Sequence, residues 1–200
     1  MADVSVQAIT ISDEVAADGD FIVTAARPNT TATLANSSFA SGGGRLLSVT
    51  TAGTSDNGKT TTITGTSVLD EVISEIITST GSAEAVNGTK YFKTVTSVVC
   101  SEQYAGNITV GSLASAAQAV AGGGRTRLKG YSIVSGGTAG VVNFYNGTPE
   151  DGSIVMKSRT IGTDNTTVDN TIPLNGIVFE DGLYVVYTNT TVDMMSFFYA

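Results

Sequence analysis

The chain of 200 residues has no histidine, no tryptophan and a single cysteine, Cys100. Without histidine there is no Ser-His-Asp triad, no Cys-His dyad and no imidazole-ligated metal. One cysteine makes neither an intrachain disulfide nor a cysteine-rich zinc site. Charge is scarce as well: 14% of residues are charged, against about 25% in ordinary soluble domains. Only 10 Lys and Arg stand against 18 Asp and Glu, a formal net charge of -8 and a pI near 4.3. That balance argues against general nucleic-acid binding, which needs clustered cations to neutralise phosphates. No apolar run approaches the roughly 18 residues of a membrane-spanning helix. The opening Met1-Ala2-Asp3-Val4 has no basic segment leading into an apolar one, so no secretory signal is expected.

What the chain does have is 30 threonines and 23 glycines, and short β-branched runs between turn residues. Val4 to Ile11 alternates with one phase slip, the mark of a bulged strand. Asp18-Gly19-Asp20 reads as a turn before a strand at Phe21 to Thr24. Thr31 to Leu34 is a weaker strand. After the flexible break Gly42 to Gly44, Arg45 to Thr50 reads as a strand. Asp56-Asn57-Gly58-Lys59 has hairpin-turn chemistry, and Thr60 to Thr66 reads as the strand after it. Val68 to Ile77 is ambiguous: apolar pairs at 68/69, 72/73 and 76/77 fit a helical stripe, while its β-branched residues favour a strand. Asn87-Gly88 reads as a turn, Tyr91 to Cys100 and Asn107 to Val110 as strands.

Composition shifts at Leu113 to Ala121, a run of small uncharged residues ending in Gly122-Gly123-Gly124. This is the natural boundary, a linker with or without a short helical turn. Beyond it, strands are expected at Arg127–Val134, Val141–Tyr145, Ile154–Lys157, Thr171–Leu174, Gly176–Phe179, Leu183–Tyr187 and Met194–Tyr199. Turn signals every 8–12 residues or so indicate sandwiches. The expected fold is therefore all-β: two β-sandwich or jelly-roll-like domains, residues 1–112 and 125–200, joined by an Ala/Gly-rich linker at 113–124. Gly42-Gly43-Gly44-Arg45 and Gly122-Gly123-Gly124-Arg125 echo one another ahead of a strand.

Few residues invite chemistry. Cys100 ends an apolar stretch with no basic neighbour, the setting of a buried structural thiol. Asp18 and Asp20 lack the further oxygen ligands of a calcium loop. Asp164, Asp169, Glu180 and Asp181 sit beside turns, where solvated loop charge outweighs a pair of hydrolytic carboxylates. Neither the glycine triplets nor Gly58-Lys59-Thr60 has the spacing of a phosphate loop. Arg125, Arg127 and Lys129 alternate onto one face, either a solvated edge strand or a patch for an acidic partner. The Asn-x-Ser/Thr sequons, Asn29 and Asn107 among them, reflect Asn and Thr richness. The closing Met194-Met195-Ser196-Phe197-Phe198-Tyr199 implies a tied-down strand buried on both faces, within the domain or at a subunit contact. No catalytic, cofactor-binding or metal-ligating residue is assigned, and no enzymatic activity or cofactor is expected.

Two stretches resemble structural proteins of the tailed-bacteriophage virion. One runs from Gly44-Arg45-Leu46-Leu47-Ser48-Val49-Thr50 through Ile63-Thr64-Gly65-Thr66 and Gly88-Thr89-Lys90-Tyr91-Phe92-Lys93-Thr94-Val95-Thr96-Ser97-Val98 to Ala105-Gly106-Asn107-Ile108-Thr109-Val110-Gly111. It is similar to a sandwich unit that recurs in such proteins, and the resemblance implies a strand at Leu69 to Thr78. The other covers Leu128 to Tyr199: Gly136-Gly137-Thr138-Ala139-Gly140, Phe144-Tyr145-Asn146-Gly147, Pro173-Leu174-Asn175-Gly176-Ile177 and Gly182-Leu183-Tyr184-Val185. It looks like a small β-domain of decoration and fibre proteins.

The resemblance implies a structural virion protein, foremost a capsid decoration or cement subunit on the outer surface of a phage head. Its expected partners are the major capsid protein and further copies of itself, a trimer in the first instance, with no nucleic acid and no membrane. Its location would be the virion, assembled in the bacterial host cytoplasm. A tail, neck or fibre component is the alternative, although long repeats are absent. A carbohydrate-binding module is a further one, and would need exposed aromatics such as Tyr131, Tyr145, Tyr184 and Tyr187.

Overall fold

Threonine and β-branched residues disfavour helix and fill pleated surfaces, and the chain is nearly all strand. The computed structural model describes residues 6–12, 16–39, 42–81 and 83–200. In chain order its strands are β1 (Gln7–Ser12), β2 (Asp18–Ala26), β3 (Gly44–Thr51), β4 (Thr60–Thr66), β5 (Val72–Thr78), β6 (Ala85–Phe92), β7 (Thr94–Cys100) and β8 (Ile108–Ala121). Then come β9 (Thr126–Ser135), β10 (Ala139–Asn146), β11 (Ser153–Ile161), β12 (Thr166–Thr171), β13 (Ile177–Phe179), β14 (Leu183–Thr188) and β15 (Val192–Tyr199). Among the described residues the helices are two 3-10 turns, Thr54–Asp56 and Asn189–Thr191. No helix there is long and apolar enough to cross a membrane. The all-β expectation holds, and the ambiguous segment at 68–77 resolves as strand from Val72 onward.

The chain divides into two compact units, one of Ala17–Ala114 and the other of Met1–Ala16 with Ser115–Ala200. This corrects the division expected at 112/125. The reason lies in β1, whose residues 7 to 12 pair antiparallel with Tyr199 to Met194 of β15 and so complete a sheet of the C-terminal half. Ile11 is buried there, while Val4 lies outside the described residues. The expected linker is corrected too: Leu113 to Ala121 belongs to β8. Small side chains suit that strand because bulky ones oppose them. Ala116 pairs with Tyr187, Ala117 with Val186 and Ala119 with Tyr184 of β14.

In the Ala17–Ala114 unit, β5, β4 and β7 form one sheet in that order, and β6, β3 and β8 another, with β2 along β8. Leu47, Val49, Phe92 and Val110 from the second meet Ile63, Ile77, Val95 and Val98 from the first in one core. The Asp56–Lys59 turn exists, with Gly58 at φ +81°. It joins β3 to β4, which lie in opposite sheets, so it turns a corner instead of closing a hairpin. Asp18-Gly19-Asp20 opens β2 and is no turn. Thr31 to Leu34 makes only an isolated bridge from Thr31 to Val99.

Asn87-Gly88 is likewise no turn but lies within β6. The β3–β6 register slips between Leu46↔Tyr91 and Ser48↔Asn87, a bulge that frees main-chain donors. Glu75 of β5 collects them. Its carboxylate accepts the Thr89 N–H at 2.6 Å, the Thr89 hydroxyl at 2.9 Å and the Lys90 N–H at 3.4 Å. A Cβ on residue 88 would stand where the carboxylate now lies, so any larger residue there would displace Glu75 from these donors.

In the unit built from Ser115–Ala200 and β1, one sheet runs β1-β15-β9-β12 with β13 also on β9, and the other runs β11-β10-β14 to the second half of β8. Ile133, Met195 and Phe197 of the first pack against Val142, Phe144 and Val185 of the second. Phe144 links them as the centre of an aromatic chain, 5.2 Å from Tyr131 and 5.8 Å, edge-on, from Phe197. The strand expected at Thr171–Leu174 is corrected: the strand is the polar β12 before it, and Leu174 sits in a turn at φ +59°.

Candidate functional site

Two surfaces stand out, one on each unit. On the Ala17–Ala114 unit it is the outer face of the β5-β4-β7 sheet. Strand alternation sends Thr61 and Ile63 inward and Thr60, Thr62, Thr64 and Thr66 outward. The registers set these threonines in cross-strand rows: Ile76–Thr62–Val99, Ser74–Thr64–Ser97 and Val72–Thr66–Thr94. None of those side chains is charged, and the hydroxyls bond along the rows, Thr64 to Ser74 at 3.2 Å and Thr66 to Thr94 at 2.7 Å. Val72 is 81% and Ile76 65% exposed on the outermost strand. Sheet borders ordinarily carry charge that deters pairing. Here the charges at the border are the Lys90 ammonium, which donates to the Ser74 carbonyl at 2.9 Å, and the Lys93–Asp70 pair at 2.7 Å beyond the last row.

On the other unit the surface follows β9. Arg127 and Lys129 project outward, half-buried. The expectation of an edge strand is corrected here: β9 is interior, with β15 on one side and β12 and β13 on the other. Arg125 pairs with Glu180 at 2.9 Å. Arg127 and Lys129 donate to the carbonyls of Asn175 and Leu174 at 3.2 and 3.5 Å. Two adjoining grooves of about 480 and 460 Å³ share Val6 and Lys129 as lining. Phe198 of β15 lines the second groove, and Ala200, just past the strand, lines the first. Met195 and Phe197 are buried, whereas Met194 and Phe198 are each 42% exposed. Within this unit β15 is therefore buried on one face only, because alternation carries 194, 196 and 198 outward.

Cys100 is buried with Tyr104 and Ile108, and burial pushes its thiol up, against a smaller opposing effect of the Thr61 hydroxyl. Asp20 is raised by its hydrogen bond with Asp18 and lies exposed. Asp181 is tied to Asn146, which donates to its carboxylate at 2.9 Å, and Glu180 to Arg125 at 2.9 Å. Among the described residues no three His, Cys, Asp or Glu gather to hold a metal. Of the four tyrosines a carbohydrate-binding reading needed, Tyr131, Tyr184 and Tyr187 are buried.

Two residues that matter were not singled out in the sequence. Glu75 is one. Asp56 is the other, a fully buried carboxylate that accepts the Ala105 N–H at 2.6 Å and the Gly106 N–H at 3.2 Å and meets Lys59 at 3.2 Å. Burial alone would raise it, but those two N–H groups and Lys59 outweigh that and hold the carboxyl below its ordinary 3.8. Its place in an Asp-Asn-Gly turn concealed it, since such aspartates usually face solvent. No protein-family model matches the chain, and no curated protein or solved structure matches it either.

Proposed function

We propose that this protein is a structural component of a tailed-phage virion that decorates the outer surface of the capsid shell, bound to the major capsid protein and to further copies of itself. The observation that carries the reading is the set of uncharged cross-strand rows on the outer face of the β5-β4-β7 sheet, with Val72 and Ile76 standing out of it. Apolar side chains held that far into water on a sheet border mark a surface meant for another molecule. The resemblance of residues 44–111 and 128–199 to virion proteins supplies the context. Avidity supplies the physics: many copies on a symmetric shell hold firmly through contacts that are individually weak. The net charge of -8 suits a basic patch on the shell, and a threefold assembly is the symmetry the resemblance implies.

The test is co-sedimentation of the purified chain with shells assembled from the major capsid protein of the same phage. The wild-type chain should saturate a regular set of sites, and the Val72→Glu/Ile76→Glu double variant should lose most of that binding while still folding. Failure of the wild-type chain to pellet with shells, or undiminished binding by the double variant, contradicts the reading.

A further inference from the structure

We propose that the paired grooves along β9 form a binding site for a saccharide that carries an acidic substituent. This inference concerns the unit of Ser115–Ala200 and stands apart from the assembly face on the other unit.

The site begins with an aromatic ring in water. Phe198 points outward from β15 opposite Gly130 of β9, and it lines the second groove. A Cβ on residue 130 would lie 3.8 Å from the Phe198 ring and 2.9 Å from the Asn170 carbonyl. Glycine, itself buried, keeps the floor beside the exposed ring flat and lets the Asn170 carbonyl approach closely. A sugar presents an apolar C–H face that stacks on such a ring. Around that floor lie Ser132, Asp169 and Asn170, which together offer donors and acceptors, as sugar hydroxyls require. The Asn170 amide also donates to the Tyr131 hydroxyl at 3.3 Å, which orients it.

The acidic substituent is called for by the first groove. Arg125, Arg127 and Lys129 are three of the chain's ten cations within five residues. Arg125 is neutralised by Glu180, but Arg127 and Lys129 meet only backbone carbonyls, and no carboxylate among the described residues pairs with either. Their charge is available to a carboxylate or sulfate, with Arg127 able to fork. An acidic peptide fits less well. The backbone of β9 is spent on ladders to both sides, so no strand can be added.

The experiment is a titration of the full chain, followed by amide NMR and calorimetry, with an α-1,4-linked tetragalacturonate. Maltotetraose serves as the neutral control and tetraglutamate as the acidic non-sugar. The acidic tetrasaccharide should bind with shifts confined to β9, β12 and β15. Phe198→Ala, on the solvent face, should weaken it about tenfold without changing the melting temperature. Arg127→Gln should erase the preference over maltotetraose while leaving the residual binding that Phe198 supplies. The proposal is overturned if no heat or shift appears up to about 10 mM ligand, the weakest range worth calling binding. It is also overturned if tetraglutamate binds as well, or if Phe198→Ala binds like wild type.

Discussion

The two units solve the same problem, closing a sandwich of threonine-rich sheets, in different ways. The unit of Ser115–Ala200 closes with aromatic rings: Tyr131, Phe144, Phe179 and Phe197 fill the gap between its sheets. The Ala17–Ala114 unit has a mainly aliphatic core, with Phe39 and Phe92 as its buried rings, and ties its loops and borders with charged side chains aimed at backbone groups. Asp56 holds the Ala105–Gly106 loop, Glu75 holds the β6 bulge, and the buried Arg45 donates to the Leu113 carbonyl at 2.8 Å. Ring packing is indifferent to pH, whereas carboxylate acceptors are not. One unit should therefore fail by cavity and the other by lost charge.

Phe197→Ala should have the largest effect, since it removes a buried ring at the end of the aromatic chain. It should cost about 4 kcal/mol, with hydrogen-exchange protection lost in β9, β10 and β15 and largely kept in β4 and β7. Asp56→Ala should cost about 3 kcal/mol because it strips Lys59 and two N–H groups of a buried charged partner. Protection should then fall first at Ala105 and Gly106. A cost near zero would show that Asp56 is not the tie described.

Acid should separate the units without any mutation. The Asp56 carboxyl is held below its ordinary value. Its contribution is therefore complete above the unfolded value near 3.8 and is lost as pH falls through the lower folded value. A pH series of hydrogen exchange should show the 105–106 amides opening below about pH 4 in wild type. In the Asp56→Asn variant they should be open already at neutral pH and change little on acidification.

Glu75→Ala should cost less, about 1–2 kcal/mol, because its site is partly solvated. Its signature is exchange at the Thr89 and Lys90 amides. Smallest of all, Val72→Glu/Ile76→Glu should stay within about 0.5 kcal/mol of wild type, since both side chains face solvent, while shell binding is lost. That split between stability and binding distinguishes an assembly face from a misjudged core.

Strand existence was legible from the residues because alternation and turn chemistry are local. Thr60–Thr66 was read at its observed bounds. What failed was non-local. Ala and Ser from 113 to 121 look like a linker until Tyr184 and Tyr187 oppose them across a ladder. Asn87-Gly88 looks like a turn until Glu75 arrives from another strand to hold the bulge. The two Gly-Gly-Gly-Arg segments look alike, yet Arg45 is buried on a strand while Arg125 is exposed and paired with Glu180. The surfaces were legible only in part. The cations at 125, 127 and 129 were visible as a cluster, but the interior position of their strand was not. Phe198 was visible only as one of a row of bulky residues, because which of them face water depends on the phase of β15.

The most direct test of the proposed decoration role is a count of this chain in purified particles of the proposed phage, by quantitative mass spectrometry against the major capsid protein. A decoration subunit that relies on multivalent contacts should be present in roughly several hundred copies per particle. About a dozen copies or fewer would contradict the decoration role, because a shell lattice cannot be covered by so few.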